Sequence, residues 1–225
     1  MTTTVTSILQ RAVDLLQDAG NVRWTASELV RWFNDAENEV LIHRPDAFAH
    51  RATVALVAGV TQALPAEYSR LIEITNNAVG KKTPVRLVDR RLLDDTNPAW
   101  RSGRASTAIS HYTYDPRVPR EFNVEPPALA GAAVELVAVK LPTPIAAPAP
   151  GAEHTAITGD ASVADQYRGA VVDFILYRGF SKDADYAQNA ARAAAHYTAF
   201  ANALGIELRS GTVAAPSEGA PGDVE

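Results

Sequence analysis

The stretch from Val163 to Gly205 reads as two helices folded into a hairpin, and the second is built largely from alanine, 10 of the 21 residues from Ala184 to Leu204. Alanine is the strongest helix former and adds little bulk, so such a helix can lie close against its neighbours. On the first helix Val163, Tyr167, Ala170, Val171, Phe174 and Ile175 share one face. On the second, Ala187, Ala190, Ala191, Ala194, Tyr197, Ala201 and Leu204 do the same. Asp183 and Asp185 suit its first turn, and Gly205 fits just past its end. Nothing in the hairpin is chemically reactive, which suits a scaffold or an assembly subunit better than a catalyst.

The N-terminus repeats the helical pattern. Val5, Ile8, Leu9, Ala12, Leu15 and Leu16 mark one helix face, with Gly20 as its stop. Thr25-Ala26-Ser27-Glu28 has the form of a capping box. The helix it opens would bury Leu29, Trp32, Phe33, Ala36 and Val40, and Pro45 ends it. The middle is richer in β-branched residues. Arg51–Val57 and Val60–Leu64 suggest a hairpin about Gly59, and Pro65 a short helix through Ile74. Thr83–Val88 reads as a strand and Asp89–Asp94 as a helical turn. His111–Asp115, Glu121–Pro127 and Val134–Leu141 read as a small antiparallel meander with prolines at its ends. Pro142–Pro150 carries four prolines and three alanines and is expected to be a semi-rigid spacer.

The expected fold is therefore α+β and mainly α. The N-terminal helices (1–48) and the C-terminal hairpin (161–205) form a helical bundle. A β-rich middle (49–145) holds the small meander, followed by a spacer (146–160) and an extended tail (206–225) that would be disordered alone.

The chain has no cysteine, which excludes disulfides, thiolate metal sites and cysteine nucleophiles. No signal peptide or membrane-spanning run is expected from the sequence. The net charge of −5 argues against a free-standing nucleic-acid binder, though not against a protein that surrounds DNA without gripping it. His43, His50, His111, His154 and His196 lack the spacing of metal ligands. Gly80-Lys81-Lys82-Thr83 lacks the upstream glycine of a phosphate-binding loop and is followed by Pro84, so a basic turn accounts for it better. Asp94-Asp95 and Asp183/Asp185 fit turn and helix-start roles. Arg86, Arg90, Arg91, Arg101 and Arg104 make the middle basic, either as a solvated surface or as a contact for phosphate or an acidic neighbour. Trp100 is a candidate packing anchor or interface residue. No cofactor, metal or catalytic residue is expected.

The order of segments carries more than any one of them. Two capped helices lead to Leu64-Pro65-Ala66-Glu67-Tyr68, then Pro84–Val88 and Pro98-Ala99-Trp100. Tyr112-Thr113-Tyr114-Asp115 and Phe122-x-Val124-x-Pro126 come next, and then the hairpin with Tyr167, Ala170, Lys182, Asp183, Asp185 and Asn189. From about Thr4 to Gly205 this resembles the head-to-tail adaptors of short-tailed phages, the tail tubular protein A-like family. The spacer and tail fall outside the resemblance.

The resemblance implies a virion protein assembled in the host cytoplasm. It would be one copy of a twelvefold ring at the head–tail junction, joining the capsid portal to the tail nozzle around double-stranded DNA, with no membrane partner and no enzymatic activity. Partner contacts would fall on Trp100, Tyr112, Tyr114 and the tail residues Ile206, Leu208, Val213 and Val224. Lys81, Lys82, Arg101 and Arg104 would meet DNA or an acidic partner. Two alternatives stay open: a small α+β enzyme whose site converges in space around Asp94, His111 and Tyr114, and a non-viral helical adaptor.

Overall fold

The computed structural model of the chain describes residues 3–183 and 187–206. Four long helices carry one apolar core. Helix α1 (Val5–Leu16) buries Val5, Ile8, Leu9, Ala12, Val13 and Leu16. It stops earlier than Gly20, because Gln17 turns left-handed (φ 57°) and the Gln17 and Asp18 amides donate back to Asp14 and Val13. Helix α2 (Ala26–His43) starts at Thr25 with both halves of the capping box formed, and it buries the expected face. Helix α4 (Arg168–Lys182) is the central one, packed against α1, α2 and α5 (Ala187–Leu204). Gly179 lets Trp24 approach its backbone, so that the indole Nε1 donates to the Gly179 carbonyl at 3.1 Å. A Cβ there would sit 3.3 Å from Leu16 and 3.5 Å from that nitrogen.

Helix α5 is rotated from the expected face. Ala190, Ala191 and Ala194 are exposed, while Asn189, Ala193, Phe200, Ala201 and Leu204 are buried. The aromatic residues decide this. Phe200 packs on Phe174 (5.1 Å between ring centres), Tyr197 on Tyr177 (5.0 Å) and His196 on Phe180 (5.7 Å). Burying those rings removes far more apolar surface from water than burying methyl groups.

The β region is larger than a small meander, which corrects the mainly helical expectation. Seven strands among the described residues form two sheets. Strands β1 (Ala49–Ala55), β7 (Ala133–Lys140) and β3 (Tyr68–Asn77) make one, in the order β1-β7-β3. Strands β2 (Gly59–Ala63), β6 (Glu121–Ala128), β5 (His111–Tyr114) and β4 (Arg86–Leu87) make the other, with β4 parallel to β5. Both contribute to a second core that includes Val54, Leu71, Ile74, Val134 and Leu136 from the first sheet and Tyr112, Phe122 and Val124 from the second. The arrangement is a sandwich.

Three local readings change with it. The β1–β2 hairpin does not form, because the chain crosses between sheets at Gly59. The buried Gln62 side chain bonds the Val57 amide, the Val57 carbonyl and the Gly59 carbonyl in place of a ladder. The expected helix after Pro65 is strand β3. Strand β7 leaves β5 and β6 to pair with β1 and β3, so the meander is broken. The helical turn near Asp89 does form, as α3 (Arg90–Thr96).

The helical and β cores meet at the end of β7. Ala138 belongs to the sandwich core and the adjacent Val139 to the helical core, both at 0% exposure. The proline-rich segment has no helix or strand but is pinned to α2, since the Asn34 amide bonds both the N–H and the C=O of Ile145 at 2.9 Å. His154 is buried between the Asn21 and Gln10 side chains (2.7 and 2.8 Å), which ties the following segment to α1.

Buried Glu37 accepts the amides of Ser162 (2.6 Å) and Val163 (3.0 Å) and so orients the entry to α4. Burial pushes its carboxyl above the usual range, and the two amides pull it only partly back. A carboxyl raised in the folded state contributes stability below its unfolded value of about 4.3 and loses that contribution as pH climbs through the folded value. Glu37→Gln keeps the acceptor oxygen and removes the ionisation. Urea midpoints measured from about pH 4 to pH 8 should show the variant gaining on the wild type with rising pH, then levelling. A pH-independent difference would contradict this reading.

Candidate functional site

The most built surface of the sandwich lies where β4, α3 and the β5–β6 turn come together. Parallel pairing sets Arg86 beside His111 and Leu87 beside Tyr112. Asp89 then caps α3 by accepting the Arg91 amide at 2.7 Å, which brings Arg90 and Arg91 over the sheet edge. On the opposite wall Arg117 grips Asp115 through Nε (3.0 Å) and a terminal nitrogen (2.7 Å). Those hydrogen bonds hold the Asp115 carboxyl at about 2. The groove between the walls has a volume of about 470 Å³ and is lined by Arg90, Arg91, Tyr114, Arg117 and Asn123, among others. Arg117 and Asp115 neutralise each other. Arg86, Arg90 and Arg91 are exposed and have no ion-pair partner among the described residues, and although Asp89 also lines the groove, cationic side chains outnumber carboxylates there.

The residues singled out from sequence scatter around this surface. Tyr114 lines the groove and its hydroxyl donates to the Pro119 carbonyl at 3.2 Å. Tyr112 is 3% exposed, and burial raises its phenol. Trp100 is 1% exposed; its indole nitrogen donates to Asp94 at 2.9 Å, and Arg101 bridges the same carboxylate (2.6 Å) while covering the ring at 4.3 Å. Both aromatic side chains are interior groups. Lys81 is exposed on a turn, Lys82 pairs with Glu135 at 3.2 Å, and Arg104 is exposed. Ile206 is half-buried against the helical core, with its amide on the Ala201 carbonyl (2.8 Å). Leu208, Val213, Val224 and Asp185 lie outside the described residues.

Sequence reading missed Arg117, whose place opposite Arg90 depends on the length of the β5–β6 turn. It also missed Asn77 and Glu37, buried polar groups whose partners are distant in sequence.

Over residues 3–221 the chain matches the family described as SU10 adaptor protein. It belongs to that family. Comparison with curated proteins finds no match. Membership in the SU10 adaptor family bears out the resemblance to phage head-to-tail adaptors, and it makes the chain a phage structural adaptor and a virion component. The match also runs through the proline-rich segment and most of the tail, which the resemblance had left aside.

The geometry of this adaptor does not gather the three residues of the enzyme alternative. Asp94 is engaged by Trp100 and Arg101, His111 faces Glu125 at 2.9 Å, and Tyr114 is bonded to Pro119. The groove that Tyr114 lines includes neither of the others. Among the described residues no cluster of His, Asp and Glu is placed to hold a metal, and no helix is long and apolar enough to cross a membrane.

Proposed function

We propose that the protein is one subunit of a twelvefold ring seated between the capsid portal and the tail nozzle, through which double-stranded DNA passes. The observation that carries this is the family match over nearly the whole chain. The architecture supports it. A helical body is joined to a sandwich through β7, and α5 turns an exposed, alanine-rich side outward on which a neighbouring copy can lie close. Among the described residues strand β1 is paired on one side only, by β7, so that edge offers backbone groups to another chain.

Assembly is ordered in this reading. At low concentration the subunit stays monomeric until a portal ring presents its docking surface, and ring closure then multiplies individually weak contacts. The tail, 206–225, with Ile206, Leu208, Val213 and Val224, contacts the portal or a neighbouring copy.

Electron microscopy of portal rings with and without the purified protein tests the reading. A new ring of density on the tail-facing side of the portal is expected. A monomer indifferent to portal, with no such ring in virions, would overturn it. Deleting residues 207–225 should abolish attachment, and unchanged attachment would sink the role given to the tail.

A further inference from the structure

Charge is distributed unevenly along this chain. Residues 81–120 hold nine Lys and Arg against four Asp and Glu, a surplus of +5 in a chain whose total is −5, which leaves −10 elsewhere. The fold concentrates the surplus. Arg86, Arg90 and Arg91 come to one sheet edge, exposed and without ion-pair partners among the described residues. The helical part is acidic in turn, with exposed carboxylates at Asp160 and Asp165 on the approach to α4.

Exposed apolar side chains sit among these arginines. Leu87 is 62% exposed, Leu92 55% and Val118 46%. Leu87 lines the groove itself, Leu92 lies on α3 and Val118 on the β5–β6 turn. A surface made for phosphates presents cations and polar groups; one that mixes arginine with leucine and valine has the composition of a protein interface.

We propose that the face formed by β4, α3 and the β5–β6 turn is the docking surface for a second copy of this chain, received through the acidic side of that copy's helical part. This inference rests on the ring reading and deepens it by assigning one of the two unlike patches that a head-to-tail ring requires. Opposite charge sets the register of the contact, and the leucines and valine supply the desolvated centre. A single contact of this kind is weak, so in solution it shows as salt-sensitive self-association at high protein concentration.

The test is sedimentation equilibrium of the full chain up to about 500 µM, in about 50 mM and about 500 mM sodium chloride. Wild type should self-associate at low salt and weaken at high salt. Arg90→Glu/Arg91→Glu should weaken the association at least tenfold with an unchanged circular-dichroism spectrum. Leu92→Ser, an exposed position, should weaken it while leaving the salt dependence in place. The double variant still carries its own acidic side, so it should cap wild-type chains in mixtures without extending them.

Wild type that stays monomeric throughout, or a double variant that associates like wild type, overturns the proposal. A duplex of about 30 base pairs is titrated in parallel. If the two arginines prove necessary for duplex binding and not for self-association, the surface belongs to nucleic acid and the proposal fails. Rings of the double variant that still form normally on portals would overturn this surface while leaving the ring reading intact.

Discussion

Asn77→Leu should cost about 3–5 kcal/mol, because two backbone groups lose the one hydrogen-bond partner they have among the described residues. Asn77 is 0% exposed at the end of β3. Its Nδ2 donates to the Ile109 carbonyl (2.8 Å), the Thr83 carbonyl (3.1 Å) and the Thr83 hydroxyl (3.0 Å), and its Oδ1 accepts the Ile109 amide (2.8 Å). Leucine is close to isosteric and more apolar, yet it leaves the Ile109 N–H and C=O unsatisfied inside the sandwich. The Thr83 carbonyl is less affected, since the Asn77 backbone amide also reaches it at 2.9 Å.

Chemical denaturation gives the magnitude. Asn77→Asp separates the mechanism from mere packing. It keeps an acceptor for the Ile109 amide but turns a second oxygen toward carbonyls, so it should be destabilised at neutral pH and partly recover on acidification, when that oxygen carries a proton. A Leu variant within about 1 kcal/mol of wild type would show that the network has slack.

Trp100→Ala should cost a comparable amount, about 3–5 kcal/mol, the usual range for emptying a buried tryptophan site. The residue holds the segment after α3 against β6, and the Asp94–Arg101 pair closes over it. The expected phenotype is a lower melting temperature and poor yield rather than a folded monomer that fails to assemble. Trp100→Phe should retain most of the packing and lose mainly the bond to Asp94, at about 1 kcal/mol. A stable, folded Trp100→Ala protein with selective loss of ring formation would return Trp100 to the interface role first considered for it.

What the sequence disclosed follows from how local each signal is. The Thr25 cap, the α2 face and the β5–β6 pair depend on residues within a few positions of one another, and the fold contains them as read. Strand β3 was hidden by its own irregularity. Its buried residues, Tyr68, Leu71, Ile74 and Asn77, recur every third position because the pairing with β7 slips three times. Period three imitates a helix to anyone expecting strict alternation.

The partner of β7 and the inward side of α5 are decided by contacts across the molecule, where Phe174 and Tyr177 outweigh a run of alanines. The groove was half legible. Arg86, Arg90 and Arg91 marked it as basic, but that Leu87, Leu92 and Val118 share its surface is visible only once β4 lies beside β5.

Ala138 and Val139 have a mechanical meaning. Two successive residues of a strand flanked by β1 and β3 are anchored in opposite cores. A pull on the sandwich is therefore taken along β7 as shear against the β3 ladder, and β1 shares the load, since it follows Phe48 of the helical core and pairs its Ala49 with Val139. Shear loads many bonds at once. In the ring proposed above, this strand would serve as a tendon, passing strain from the sandwich to the helical body without letting either part come loose.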